Sequence, residues 1–183
     1  GDLPTPKVTH RFCWGTGNKS STTEALRKFY ERNKYKYLKQ SHTIDELKSL
    51  ALFWQSVSDQ DRERFSENVL KKLFVLNYAP NGMWQHITSV YFLQNRNEDG
   101  ILDDKKFCKF LNRITSFIFA YAITNPGVNA LRTPVYDEMV NIVKGNEPTF
   151  SKYKFNRAQA RSFFENYVFT NQRNATRSMI TWY

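Results

Sequence analysis

A chain of 183 residues is long enough to bury one sizeable core, and the lack of any apolar run near the roughly 20 residues of a bilayer span, or of a signal-peptide h-region, predicts a soluble, cytoplasmic protein with no membrane partner. Fifteen Phe, ten Tyr and four Trp against seven Gly and six Pro describe a core of large rings carried on long elements with few tight turns, which points to helices. The net charge of +10 is uneven: nine Lys/Arg face three Asp/Glu over residues 1–40, six face eight over 41–100, six face five over 101–150, and six face one over 151–183.

In chain order, residues 1–20 carry Pro4 and Pro6 before a β-prone stretch and read as an extended arm; residues 21–183 read as one helical domain. Ser21 with Glu24 forms a capping box for a first helix whose apolar face is Ala25, Leu26, Phe29 and Tyr30. Thr43 is the expected cap of a second, with Asp45 and Glu46 in its first turn and Ile44, Leu47, Leu50, Ala51 and Trp54 at helical spacing. Ser58 is the expected cap of a third, charged at Asp61, Arg62, Glu63 and Arg64 and burying Phe65, Val69, Leu73 and Leu76. After Pro80-Asn81-Gly82 a fourth runs through Trp84, Ile87, Val90 and Tyr91.

The strongest pattern lies between Asp103 and Thr124. There Phe107, Phe110, Leu111, Ile114, Phe117, Ile118 and Tyr121 keep helical spacing until Asn125-Pro126-Gly127 stops them. This predicts the central helix. Thr133 followed by Pro134 reads as a cap with proline at the first helical position, and Val135, Met139, Ile142 and Val143 follow before Gly145 closes the helix. Two further helices are predicted, over about 156–169 and from about 172 to the end, making about eight in an all-α, bundle-like architecture.

Two stretches imitate ligand loops and fail on spacing. In WGTGNKSS, Asn18 separates Gly17 from Lys19 and the first P-loop glycine is missing. In NRNEDGILDDKKF, Asn95, Asn97, Asp99 and Gly100 occupy the first positions of a calcium loop, yet Lys106 stands where a bidentate Glu is required. Cys13 and Cys108 match no metal or redox spacing, and His10, His42 and His86 stand in no metalloprotease or ribonuclease setting. The basic tail offers Lys152, Lys154, Arg157, Arg161, Arg173 and Arg177, opposed by Glu165 alone, as candidates for docking a neighbouring domain or a phosphate backbone. Arg161 and Glu165 are spaced to pair.

Three phrases stand together: YAPNGMW from Tyr78 continuing into SVYFLQNR, NPGVNALRTPVYDEM from Asn125 to Met139, and RSFFENYVFTNQRNATRSMITWY from Arg161. They resemble the central helical region of GmrSD-like modification-dependent restriction endonucleases. In that family the region lies between an N-terminal ParB-like domain with a DGQQR-type nucleotide-binding motif and, often, a C-terminal HNH-type nuclease domain. The resemblance implies a connector that places one domain relative to the other. Nucleotide and divalent metal would then belong to the flanking domains of the same polypeptide and no cofactor to this region, with DNA a possible further partner. Neither a DGQQR-type motif nor an HNH constellation occurs in this chain, so no catalytic residue is carried over. The apolar ending at Met179, Ile180, Trp182 and Tyr183 is expected to lead into a further domain.

In the second phrase Arg132 is expected to bond carbonyls at the end of the preceding helix, with Thr133 and Pro134 restarting the chain. Three function classes remain open at this stage: the connector, an autonomous basic nucleic-acid-binding module, and an enzyme with a pocket around Arg132, Glu138 and His86.

Overall fold

The computed structural model describes residues 30–31, 34–79, 81–125, 130–153 and 156–166. Among these residues every regular element is helical: α1 Ser41–Ser58, α2 Glu67–Leu76, α3 Met83–Asn95, α4 Asp104–Thr124, α5 Arg132–Val143 and α6 Arg157–Glu165. Of the expected first helix only its end at Tyr30, buried, is described, while the expected helix beyond 172 and the arm over residues 1–20 lie outside the described residues. No helix among those described is long and apolar enough to cross a membrane.

The central helix forms where its pattern predicts. Asp103 caps it, accepting from the Lys106 amide at 2.8 Å, while Phe107, Phe110, Leu111, Ile114 and Ile118 are buried along one face. Helix α4 packs against α2 and α6, α3 packs against α5, and α1 against α3. Phe53 of α1, fully buried, is the meeting point. Its ring stacks on Phe92 at 4.3 Å and meets Trp54, Phe65 and Phe107 edge-on at 5.2, 5.9 and 6.1 Å. Four segments therefore converge on one ring, in geometries that aromatic quadrupoles favour. Trp54 Nε1 donates to Ser89 Oγ at 2.9 Å, and Ser89 in turn donates to the Gln85 carbonyl at 2.7 Å, which tethers α1 to α3.

Three expected caps are corrected. Ser58 ends α1 instead of starting a helix. Gln60 takes the left-handed conformation (φ 53°), and the amides of Gln60 and Asp61 reach back to the carbonyls of Val57 and Ser56 at 3.3 and 3.0 Å, a Schellman closure normally built on glycine. Asp61 Oδ1 then accepts from the Glu63 and Arg64 amides, so the charged run is a turn, and Ser66 caps α2 by accepting from Val69 at 3.3 Å. Thr43 lies inside α1, whose N-cap is Gln40; its buried hydroxyl donates to the Tyr37 carbonyl at 2.8 Å.

Helix α5 begins at Arg132, with Leu131 rather than Thr133 at the cap, so Pro134 is its third residue. Proline costs no hydrogen bond there, because the first four amides of a helix have no partner within it. Gly145 (φ 81°) closes α5 as expected, its amide bonded to Ile142 O at 2.9 Å and that of Asn146 to Asn141 O at 3.0 Å.

Truncating the shared ring should remove contacts with all four neighbours. Phe53→Ala is expected to destabilise the protein by about 3–5 kcal/mol, while Leu52→Ala, next in sequence but 58% exposed, should change stability by less than about 0.5 kcal/mol. Urea unfolding midpoints of the two variants check this, and similar midpoints would contradict the placement of α1.

Candidate functional site

The Schellman closure at Gly145 turns the chain back along α4 and α5, and a buried carboxylate receives it. Glu138, 2% exposed, accepts from the Phe150 amide through Oε1 at 2.7 Å, and from the Thr149 amide and Asn141 Nδ2 through Oε2 at 3.0 and 3.1 Å. Charge-assisted bonds of this kind are the strong ones. They hold Phe150 at φ 53°, a conformation a β-substituted residue adopts only when its surroundings enforce it. The Phe150 ring, buried, stacks on Phe117 at 3.9 Å and 12°. Beyond it, Tyr153 donates to Asp137 Oδ2 at 2.6 Å, and burial together with that bond raises its pKa above the ordinary tyrosine range.

The clamped segment forms one wall of a groove of about 440 Å³ between the end of α3, the first half of α4 and residues 145–148. Lys106, Lys109 and Arg113 line it from one face of α4, spaced by three and then four residues. Glu147 is the only carboxylate among the lining residues. Arg113 Nη1 donates to Glu147 Oε2 at 3.0 Å and to the Pro148 carbonyl at 2.8 Å, and Lys109 Nζ lies 3.5 Å from the same carboxylate oxygen. The Arg113 hydrogen bond and the two cations hold the Glu147 pKa below its ordinary value. Tyr91, buried and stacked on Phe110 at 3.9 Å, lines the floor; burial, with smaller effects from the Glu147 and Asp103 carboxylates, pushes its pKa up to about 12.

Of the sequence-predicted docking residues, Lys152, Arg157 and Arg161 are among the described residues. Lys152 is exposed and lies 3.9 Å from Asp137. Arg157 and Arg161 are exposed on one face of α6, and Arg161 Nε donates to Glu165 at 2.8 Å, as its spacing predicts. Lys154, Arg173 and Arg177 lie outside the described residues. The Arg132 guanidinium lies 5.8 Å from the centre of the Tyr136 ring, and the Tyr121 carbonyl at the preceding helix end accepts from the amide and side chain of Asn125. Asn97 closes the calcium-loop mimic on itself, its carboxamide oxygen accepting from the Ile101 amide at 2.7 Å. Arg64 donates to the Gly100 carbonyl.

Among the described residues no group of three or more His, Cys, Asp or Glu is placed to hold a metal. Comparison with protein-family models, curated proteins and solved structures found no match to this chain.

The signal for the groove in the sequence is the Lys106, Lys109, Arg113 row on the polar face of the central helix. Its counter-charge Glu147 stands 34 residues after Arg113 and has no spacing that links the two.

The raised Tyr91 pKa has a definite sign. The folded state keeps the proton longer than the unfolded one, so the contribution of Tyr91 to stability is complete below its ordinary value of 10.0 and is lost as pH rises through about 12. The ultraviolet titration difference between the protein and Tyr91→Phe should show a midpoint near pH 12, and a midpoint near 10 would place the ring in open solvent.

Proposed function

We propose that this chain is a non-catalytic helical interaction domain of a larger DNA-defence protein of the GmrSD-like kind, positioning a nucleotide-responsive domain relative to a nuclease domain. The observation that carries this reading is how the polar groups of the alternative acid-base constellation are used. Both oxygens of Glu138 are bonded to N–H donors that fix residues 149 and 150, Arg132 lies on Tyr136, and His86 Nδ1 is bonded to the Gly82 carbonyl at 3.1 Å. The Glu138 oxygens are thereby committed to the fold, which removes the carboxylate that constellation needs. A general acid or base needs at least one free position toward a substrate proton. An outward row on α1 adds support: Ile44 and Leu52, eight residues apart and therefore on one face, are 59% and 58% exposed, which suits docking against another domain.

The exposed pair Arg157 and Arg161 favours a second reading, an autonomous basic nucleic-acid-binding module. Salt titration of duplex DNA binding separates the two. For the connector, dissociation constants no tighter than about 10⁻⁶ M are expected at physiological salt, with Arg157→Ala/Arg161→Ala within about twofold of the unsubstituted protein and no metal-dependent cleavage. Nanomolar binding lost in the double variant, with the log-log salt slope falling by about one unit per charge removed, would replace the connector with the second reading.

A further inference from the structure

Among the described residues that line it, the groove on α4 is positively charged. Lys106, Lys109 and Arg113 supply three positive charges and Glu147 one negative. The Glu147 carboxylate already displays the chemistry these cations accept, an oxyanion held by a guanidinium and an ammonium at once. It is also exposed, so a stronger anion can displace it.

We propose that this groove is a phosphate-binding site that takes a phosphate dianion, with Glu147 as the internal anion it displaces. With Glu147 displaced, three cations face the site, and the −1.5 to −2 that a phosphate monoester carries near pH 7 neutralises more of that charge than a single carboxylate would. Tyr91 in the floor stays protonated at neutral pH, so its hydroxyl remains able to donate. The floor rings Tyr91 and Phe110 are 9% and 4% exposed and already stacked on each other, so the groove has no free aromatic face for a base. It therefore recognises the phosphate group itself, whether free or at the end of a nucleotide. This inference is independent of the connector reading, since it concerns a different face from α6 and a single anion rather than a polymer backbone.

The test is a two-dimensional amide NMR titration of the full chain with inorganic phosphate and, separately, adenosine 5′-monophosphate, at constant ionic strength set with chloride. Saturable shifts are expected at 94–95, 106–113 and 145–147, with dissociation constants on the order of 1 mM. Equal affinity for the two probes identifies bare phosphate as the ligand; tighter binding of the monophosphate extends the site to a nucleotide end. Lys106→Ala should weaken binding about fivefold and Glu147→Gln should strengthen it about fivefold, the effect of one charge at roughly 4 Å in a solvent-exposed site. Both side chains are exposed, so the remaining amide spectrum should stay in place and report an intact fold. Shifts that do not saturate, or a Glu147→Gln variant that binds phosphate no better than the unsubstituted protein, would overturn the proposal.

Discussion

The buried carboxylate of Glu138 fixes the segment that walls the α4 groove. Glu138 sits 2% exposed among the helices and is served by three N–H donors, two of them backbone amides eleven and twelve residues further along the chain. An ionised carboxylate in such a place would cost several kcal/mol without partners. With them, it holds a segment that has no regular structure of its own. Phe150 accepts a left-handed backbone, a strain of about 1–3 kcal/mol, offset by the bond to Oε1 and by stacking on Phe117. The placement of Glu147, and with it the form of the α4 groove, follows from this clamp and from the Gly145 closure just before it.

The aromatic content has a corresponding division of labour. Phe53, Phe65, Phe92 and Phe107 make the interior contacts that bring α1, α3 and α4 together. Phe117, Tyr121, Phe150 and Tyr153 form a second, partly exposed layer that binds the 146–153 segment to the outer half of α4. One helix thus carries both layers, which is why its periodicity is the clearest in the chain. Lys106, Lys109 and Arg113 line the groove from the same helix.

How much was legible in the sequence depended on whether the deciding interaction was local. Helix α4 and the Gly145 closure were both readable, because a periodic face and a glycine act within a few residues of themselves. The end of α1 was not. It turns on Gln60 in a conformation that glycine normally signals, so Ser58 read as a start when it is a finish. The Thr133-Pro134 pair marked the right helix but the wrong residue, since proline fits anywhere in a first turn. The Glu138 clamp and the Arg113–Glu147 contact were invisible for another reason. They join residues 11 to 34 positions apart through loop backbone, for which a sequence has no period.

Amide hydrogen exchange at Thr149 and Phe150 measures the clamp directly, comparing the protein with Glu138→Gln. Glutamine keeps the shape but has one acceptor oxygen, so its amide group must face a backbone N–H. The Phe150 and Thr149 amides are predicted to exchange slowly in the unsubstituted protein and at least about tenfold faster in the variant, as expected for losing hydrogen bonds to a charged group, while core amides of α3 such as Phe92 keep a larger share of their protection. Equal exchange at 149 and 150 in the two proteins would contradict the claim that Glu138 holds this segment in place.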